Sequence, residues 1–315
     1  MVIVDARGAV VQAVSDVDLG ATLGWYRNGR NDPTTWIERV ESDPVASGRF
    51  VRATLTPNGP ATLLIHWKRG QPLHAESWGP GADWLLGRVP WMIGDLDAGA
   101  THLESDAHPV VAATTTANRH VRTGASGTLY HELLPKILEQ RITAIEAKHQ
   151  WKLLCQELGD PAPGPFDGLV LPPAPNVLQR QPSWWFHPLG IERKRAEPLI
   201  EVARHSSKMW AWAELEPVDA DRMLRLIDGV GIWTTRCVLG PALGDPDAVP
   251  VGDYHIKNIV GWNLAGEARA TDARMIKLLE PYVGQRGRVV RAIMAHGDSA
   301  PKFGPKQRIL PMSRW

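Results

Sequence analysis

The chain has 315 residues, 43% of them hydrophobic and 22% charged, with a net charge of +1. This is the composition of a folded globular protein with room for two ordinary domains. No run approaches the roughly 20 apolar residues that span a membrane, and "MVIVDARGAVVQ", with Asp5 and no long apolar stretch, does not read as a signal peptide. A cytoplasmic protein with no membrane partner is expected. Cys155 and Cys237 form no CxxC pair, which argues against zinc and iron–sulfur sites and for two buried reduced thiols.

The first 111 residues read as β structure. "FVRATLTPNGPATLLIHW" alternates apolar and polar positions, and Asn58-Gly59 predicts a hairpin turn. Val51, Ala53 and Leu55 fall on one face before it, and Leu63, Ile65 and Trp67 after it. "HAESWGPGADW" reads as another strand and a Gly/Pro turn. Asp83 to His108 has room for a short helix, interrupted by Pro90 and several glycines.

From Ala112 the texture is helical. "LYHELLPKILEQRITAIEAKHQWKLLCQELG" carries Leu134, Ile137, Leu138, Ile142, Ile145, Leu153, Leu154 and Leu158 at helical spacing, ended by Gly159. A Pro-rich loop runs to about Pro182. "GIERKRAEPLIEVARHSS" is helical, with Pro198 expected to start or kink it. "DADRMLRLI", "TTRCVLGPAL", "DYHIKNIVGW", "TDARMIKLLEPYV" and "GRVVRAIMAHG" complete a run of helices. The expected architecture is α+β. Residues 1–111 form an antiparallel β-rich amino-terminal domain, 112–300 an all-helical region, and 301–315 a basic, Pro-containing tail. Arg286, Arg288, Arg291, Lys302, Lys306, Arg308 and Arg314 face a single acid, Asp298. Charge alone favours a solvated face and tail over a row of phosphate contacts.

The chemistry gathers around "MLRLIDGVGIWTTRCVL". Met223, Leu224 and Ile227 lie on one helix; Gly229 and Gly231 stop it, and Thr234 and Thr235 fall in the first turns of the next. A tight Gly-X-Gly hairpin exposes backbone N–H groups at a positive helix end, a site for phosphate. An ordinary helix–helix turn is the other reading. A Gly/Pro-rich stretch, "GPALGDPDAVPVGDYHIKN", then leads to Asp253 at the start of a further helix, where Asp also suits an N-cap.

Hairpin, Gly/Pro loop and aspartate at this spacing resemble the helix-hairpin-helix, Gly/Pro, Asp superfamily of DNA base-excision glycosylases. "LIDGVGIWTT" with "ALGDPDAVPVGDYHIK" is most similar to its 3-methyladenine DNA glycosylase II branch. "ILEQRITAIEAKHQWKLLCQELG" and "HPLGIERKRAEPLIEVA" are similar to two further helices of that branch. The resemblance covers roughly Ala112 to His296, and a β-rich amino-terminal part fits it.

The resemblance implies roles. Asp253 is the catalytic carboxylate that stabilises an oxocarbenium-like sugar and handles the attacking water. Gly229, Val230, Gly231, Thr234 and Gln140 belong to the DNA-binding surface. Arg141 fills the gap left by a flipped base or pairs with phosphate, against the plain reading of an exposed helix charge. Trp233 lines the base pocket, unless it is simple core packing. It stands where bifunctional relatives carry a Schiff-base lysine, which implies a monofunctional enzyme using water. Lys257 reads as a surface or structural lysine. Met294 occupies the place of a stacking aromatic, and Trp184 and Trp185 of "SWWFHP" offer aromatics instead, although packing explains such a cluster too. Asp245 and Asp247 shape the loop. No cofactor is required; a monovalent cation held by the carbonyls of Arg225, Ile227 and Val230 is implied at the hairpin.

The function so implied is excision of alkylated purines such as 3-methyladenine from double-stranded DNA by a monomer. A roomier pocket with Met294 suggests the same chemistry on a bulky or hypermodified base. A non-catalytic helix-hairpin-helix DNA-binding protein is the reading from another class.

Overall fold

The structure, a computed structural model, describes residues 7–11, 17–39, 47–68, 71–95, 97 and 108–301. The strands are β1 (Arg7–Val11), β2 (Thr35–Arg39), β3 (Ser47–Thr56), β4 (Gly59–Lys68) and β5 (Leu73–Trp78). They form one antiparallel sheet in the order β1-β5-β4-β3-β2. Around and after it come α1 (Leu19–Gly24), α2 (Ala82–Gly87), α3 (Val89–Met92), α4 (Pro109–Ala117), α5 (Leu129–Leu138), α6 (Ala144–Leu158), α7 (Pro175–Leu178), α8 (Arg193–Trp212), α9 (Pro217–Leu224), α10 (Ile232–Leu243), α11 (Ile256–Ala265), α12 (Asp272–Leu278) and α13 (Arg286–His296). The chain is α+β. Lys302, Lys306, Arg308 and Arg314 of the expected basic tail lie outside the described residues.

The hairpin between β3 and β4 turns one residue earlier than Asn58-Gly59 predicts. Thr56 pairs with Gly59, so Pro57 and Asn58 are the corner. Pro suits the first corner position and Gly the closing one. The register also corrects the faces. Phe50 lies opposite Ile65 and Val51 opposite Leu64, so Leu63, Ile65 and Trp67 share a face with Phe50, not with Val51 and Ala53. Both faces are buried: the first under Leu19 and Leu23 of α1 and Leu85, Val89 and Met92 beyond it, the second under Leu169 and Leu171 of the Pro-rich loop. With both faces apolar, alternation alone cannot say which residues point together.

The long helix expected through "ILEQRITAIEA" is two helices. α5 stops at Leu138, and Arg141 takes a left-handed turn at φ 61, the one positive φ outside glycine among the described residues. Thr143 then caps α6, accepting from the Glu146 amide. Thr143 followed three residues later by Glu146 is a capping-box pattern, the local signal of this break. Pro198, by contrast, sits within a continuous α8.

Two helical cores result. One gathers Leu133, Ile137, Trp151, Leu199 and Val238; the other gathers Val111, Val249, Val260, Met275, Val289 and Ile293. The sheet is joined to the first through buried polar groups. Arg52 donates to Glu132 at 2.6 Å and to the Tyr26 carbonyl at 2.7 Å. His131 meets Thr54 at its Nδ1 and Thr34 at its Nε2, and the Trp151 indole donates to Asp32 at 3.0 Å. Burial keeps the His131 imidazole well below its ordinary pKa, with the nearby Arg52 charge acting the same way. Cys155 is buried, and its thiol is pushed well up by burial.

The described basic residues of the carboxy-terminal stretch are not a solvated face. Arg286 is paired with Asp247, Arg288 with Asp97 at 2.6 Å, and the guanidinium of Arg291 lies 3.7 Å from the centre of the Trp25 ring. Guanidinium groups bound in this way tie segments together and are not free for phosphate.

Candidate active site

The site is built on the hairpin between α9 and α10. Gly229 has φ +82, and a Cβ there would come within 2.2 Å of Pro198, so the turn sits against α8 in a conformation that glycine suits. Gly231 is the N-cap of α10, and a Cβ there would meet nothing within 4 Å. The backbone at Gly231 therefore faces open space. Val230 is buried and its amide is used by the Ile227 carbonyl at 3.0 Å. The first-turn amides of α10 have no carbonyl partner in their own helix. Thr235 donates to Asp221, which locks α9 onto α10.

Gln140 fastens α5 to the hairpin. Its side-chain amide donates to the Gly229 carbonyl at 3.0 Å and to Thr234 Oγ1 at 2.9 Å. Thr234 is buried, while Arg141, the next residue after Gln140, is exposed. The left-handed backbone at Arg141 places its side chain on a corner and not on a regular helix face.

Asp253 is reached by a braced loop. Asp247 accepts from the amides of Gly284 and Arg286, both at 2.9 Å, and from the Arg286 guanidinium. Burial pushes the Asp247 carboxyl up, but these bonds to Arg286 and Gly284 outweigh it and hold it below its ordinary pKa. Asp245 accepts from the Asp247 amide at 2.8 Å. Nearer the site, Asp272 accepts from the Gly252 amide at 3.0 Å and from Lys257 Nζ at 3.3 Å. Lys257 is thus a structural lysine, and Asp245 and Asp247 shape the loop.

Asp253 itself is half-buried. Oδ1 accepts from the amides of His255 at 2.8 Å and Ile256 at 3.0 Å, at the entry to α11. Oδ2 accepts from the Trp233 indole Nε1 at 3.1 Å. Asp253 thus lies two residues before the α11 N-cap, His255, with its carboxylate fixed at the helix entry, and Trp233 is bonded to Asp253 and not merely packed. Three N–H donors set the carboxylate in one orientation, the condition for electrostatic stabilisation of a cation formed in front of it.

The fold thus joins Gln140 to Gly229 and Thr234, and Trp233 to Asp253, around the turn that holds Val230 and Gly231, with Arg141 exposed beside Gln140. In the aromatic segment, Trp185 packs edge-on against Phe186 into the core of α6 and α8, and Trp184 is 72% exposed. Met294 is 52% exposed on α13, which packs against α11. The groups missed in the sequence are the braces, Asp272 with Lys257 and Asp247 with Arg286. Their residue types are ordinary, and only the fold brings them together.

The fold that carries sheet, hairpin, Gly/Pro loop and braced aspartate is similar to that of solved DNA glycosylases. A 3-methyladenine DNA-glycosylase from Archaeoglobus fulgidus superposes with a TM-score of 0.71 at 15% identity, over 91% of this chain and 97% of that one. An 8-oxoguanine glycosylase/lyase from Clostridium acetobutylicum, in complex with double-stranded DNA, superposes at 0.64 and 15% identity over 92% and 95%. The Schizosaccharomyces pombe 3-methyladenine DNA glycosylase bound to abasic DNA covers 62% of this chain and 93% of its own at 0.51 and 17% identity. No family model matches the sequence, and no curated protein matches it. No helix among the described residues is long and apolar enough to cross a membrane.

Proposed function

We propose that this chain is a monofunctional DNA N-glycosylase that flips a damaged purine out of double-stranded DNA and hydrolyses its C1′–N bond. The observation that carries the reading is the Asp253 carboxylate, held by Trp233 and two amides beside an open hairpin. The Gly229–Gly231 backbone and the first turn of α10 take a phosphate. Gln140 and Thr234 hold that turn in shape, and Arg141 fills the stack when the nucleotide leaves it. Asp253 offsets the positive charge of the sugar and accepts a proton from the attacking water. Alkylated purines such as 3-methyladenine suit the site, because a cationic base leaves readily. A monovalent cation on the carbonyls of Arg225, Ile227 and Val230 belongs to the same reading and would steady the turn.

Water is the nucleophile in this reading, because the lyase position holds Trp233 and Lys257 is engaged by Asp272. The test is incubation of methylated duplex DNA with the protein and mass spectrometry of the released bases. Release that is lost in Asp253→Asn supports the mechanism; release unchanged by that substitution overturns it. A borohydride-trapped protein–DNA adduct would contradict the monofunctional assignment.

A further inference from the structure

A cluster of cations on α6 has no part in the reading above. The segment "RNGRND", between α1 and β2, is a tight turn in which the Asp32 amide donates to the Gly29 carbonyl at 3.4 Å. The Trp151 indole bonds to Asp32 at 3.0 Å and pins this turn on α6. Gly29, at φ +88, lies against the stem of Lys148: a Cβ there would come within 2.7 Å of Lys148 Cδ. Arg27 donates to the Arg30 carbonyl, so Arg27, Arg30 and Lys148 gather on one turn. Arg30 and Lys148 are exposed. Lys148 follows exposed Ala144 and Ile145 by four and three residues, so it shares the outward face of the first turn of α6. That turn begins beside Arg141, and Gln140 before it is bonded to Gly229. A continuous path therefore runs from the hairpin, through Arg141, to the cations.

The cluster is rich in donors and poor in acceptors. Among the described residues no carboxylate forms an ion pair with Arg27, Arg30, Arg141 or Lys148, whereas Arg52, Arg286 and Arg288 each have one. Asp32 is the acid at hand, but it is buried and its oxygens serve the Asn28 and Thr34 amides, the Thr34 hydroxyl and Trp151. Arg27 Nε and Asn28 Nδ2 are buried donors with no partner among the described residues. Burial holds Arg27 below its ordinary pKa; Asp32 opposes this and the Arg30 charge adds to it. Cations gathered in this way repel one another and favour an anion beside them. We propose that Arg30 and Lys148, with Arg27 at their side, form a second phosphate site, which holds the backbone of duplex DNA beyond the phosphate at the Gly229–Gly231 turn. This rests on the DNA-binding part of the glycosylase reading. Duplex DNA carries one negative charge per about 1.7 Å of its axis, so a single duplex supplies phosphates to both sites, with Arg141 on the path between them. A guanidinium fork and an ammonium suit phosphate oxygens and carry no base preference, so the contact is independent of sequence.

The test reads phosphate contacts through salt. Duplex DNA is titrated at several salt concentrations with the wild type, Arg30→Gln, Lys148→Met, the double variant and Lys148→Arg. Lys208→Gln, an exposed lysine near the end of α8, is the control, and each protein is melted thermally. The plot of log affinity against log salt should lose about 0.9 of slope for each phosphate contact removed, hence about one in each single variant and about two in the double. Lys148→Arg and Lys208→Gln should keep the wild-type slope, and melting temperatures should not move, since both site residues are exposed. Single-turnover release of 7-methylguanine at saturating protein should be unchanged, because these groups hold DNA and do not touch the reacting atoms. A double variant with the wild-type slope overturns the inference and leaves the glycosylase reading intact. So does an equal fall in Lys208→Gln, the signature of net charge alone. A loss of slope in the double variant, with no base released by any of the proteins, overturns the glycosylase reading and leaves this site standing. A wild type that binds no duplex DNA overturns both.

Discussion

The indole of Trp233 donates to the carboxylate of Asp253 at 3.1 Å across 20 residues of chain. One residue comes from the first turn of α10 and the other from the loop before α11, so this bond ties the hairpin to that loop. In the proposed function, a DNA backbone docked on the Gly229–Gly231 turn would thereby be placed in register with the Asp253 carboxylate.

Removing that donor should cost rate more than fold. Trp233→Phe keeps the ring and loses the N–H. We expect base release to fall by about tenfold, on the scale of one lost hydrogen bond to a charged group, with the melting temperature within a few degrees of the wild type. Single-turnover kinetics beside a thermal melt check both halves.

The two hairpin glycines should separate cleanly. Gly229→Ala places a Cβ within 2.2 Å of Pro198 at a positive φ and should cost about 1–3 kcal/mol of stability. Gly231→Ala meets nothing within 4 Å, so the fold should be unaffected while affinity for duplex DNA falls. Urea unfolding and a salt-controlled DNA titration of each variant distinguish the two outcomes. A Gly231→Ala protein that binds DNA normally would remove the phosphate from that turn.

Arg141 offers a trade between stability and activity. Its left-handed backbone costs about 1–2 kcal/mol that glycine would not bear. Arg141→Gly should therefore hold or raise the melting temperature while slowing base release. Arg141→Ala, which loses the side chain but keeps the strain, should slow release to a similar extent with no gain in stability. Equal activity in all three proteins would return Arg141 to an exposed charge.

Stability should fall with acid below neutrality through His131. The folded chain keeps this imidazole neutral because burial, and secondarily Arg52, lower its pKa. The unfolded chain takes up a proton as pH drops below about 6.5. The contribution is full above that pH and is lost progressively as pH falls toward the folded pKa, with a limiting slope of about 1.4 kcal/mol per pH unit. Unfolding curves at pH 8, 6.5 and 5.5 for the wild type and His131→Gln should show a shallower acid slope in the variant.

Much of the site is legible in single residues. Gly229 and Gly231 announce a turn because glycine accepts backbone that other residues resist, and Gly231 leaves that backbone open. Asp253 announces a helix start because its short carboxylate can reach two amides, and Ile256 and His255 supply them. The alternation of β3 and β4 predicts strands, but not which residues share a face, since both faces are covered. The break at Arg141 is written locally in Thr143 and Glu146 and is masked by apolar spacing that continues through it.

What the sequence by itself determined was the α+β order of elements, the hairpin, and the aspartate that follows it. These depend on backbone preferences and capping within a few residues. What only the tertiary structure decided was partnership over distance. Arg286, Arg288 and Arg291 are held by Asp247, Asp97 and Trp25, and Trp233 binds Asp253. An ionisable side chain has the same appearance in a sequence whether it is solvated or paired. Its partner is set by helix packing and loop bracing that no local pattern records.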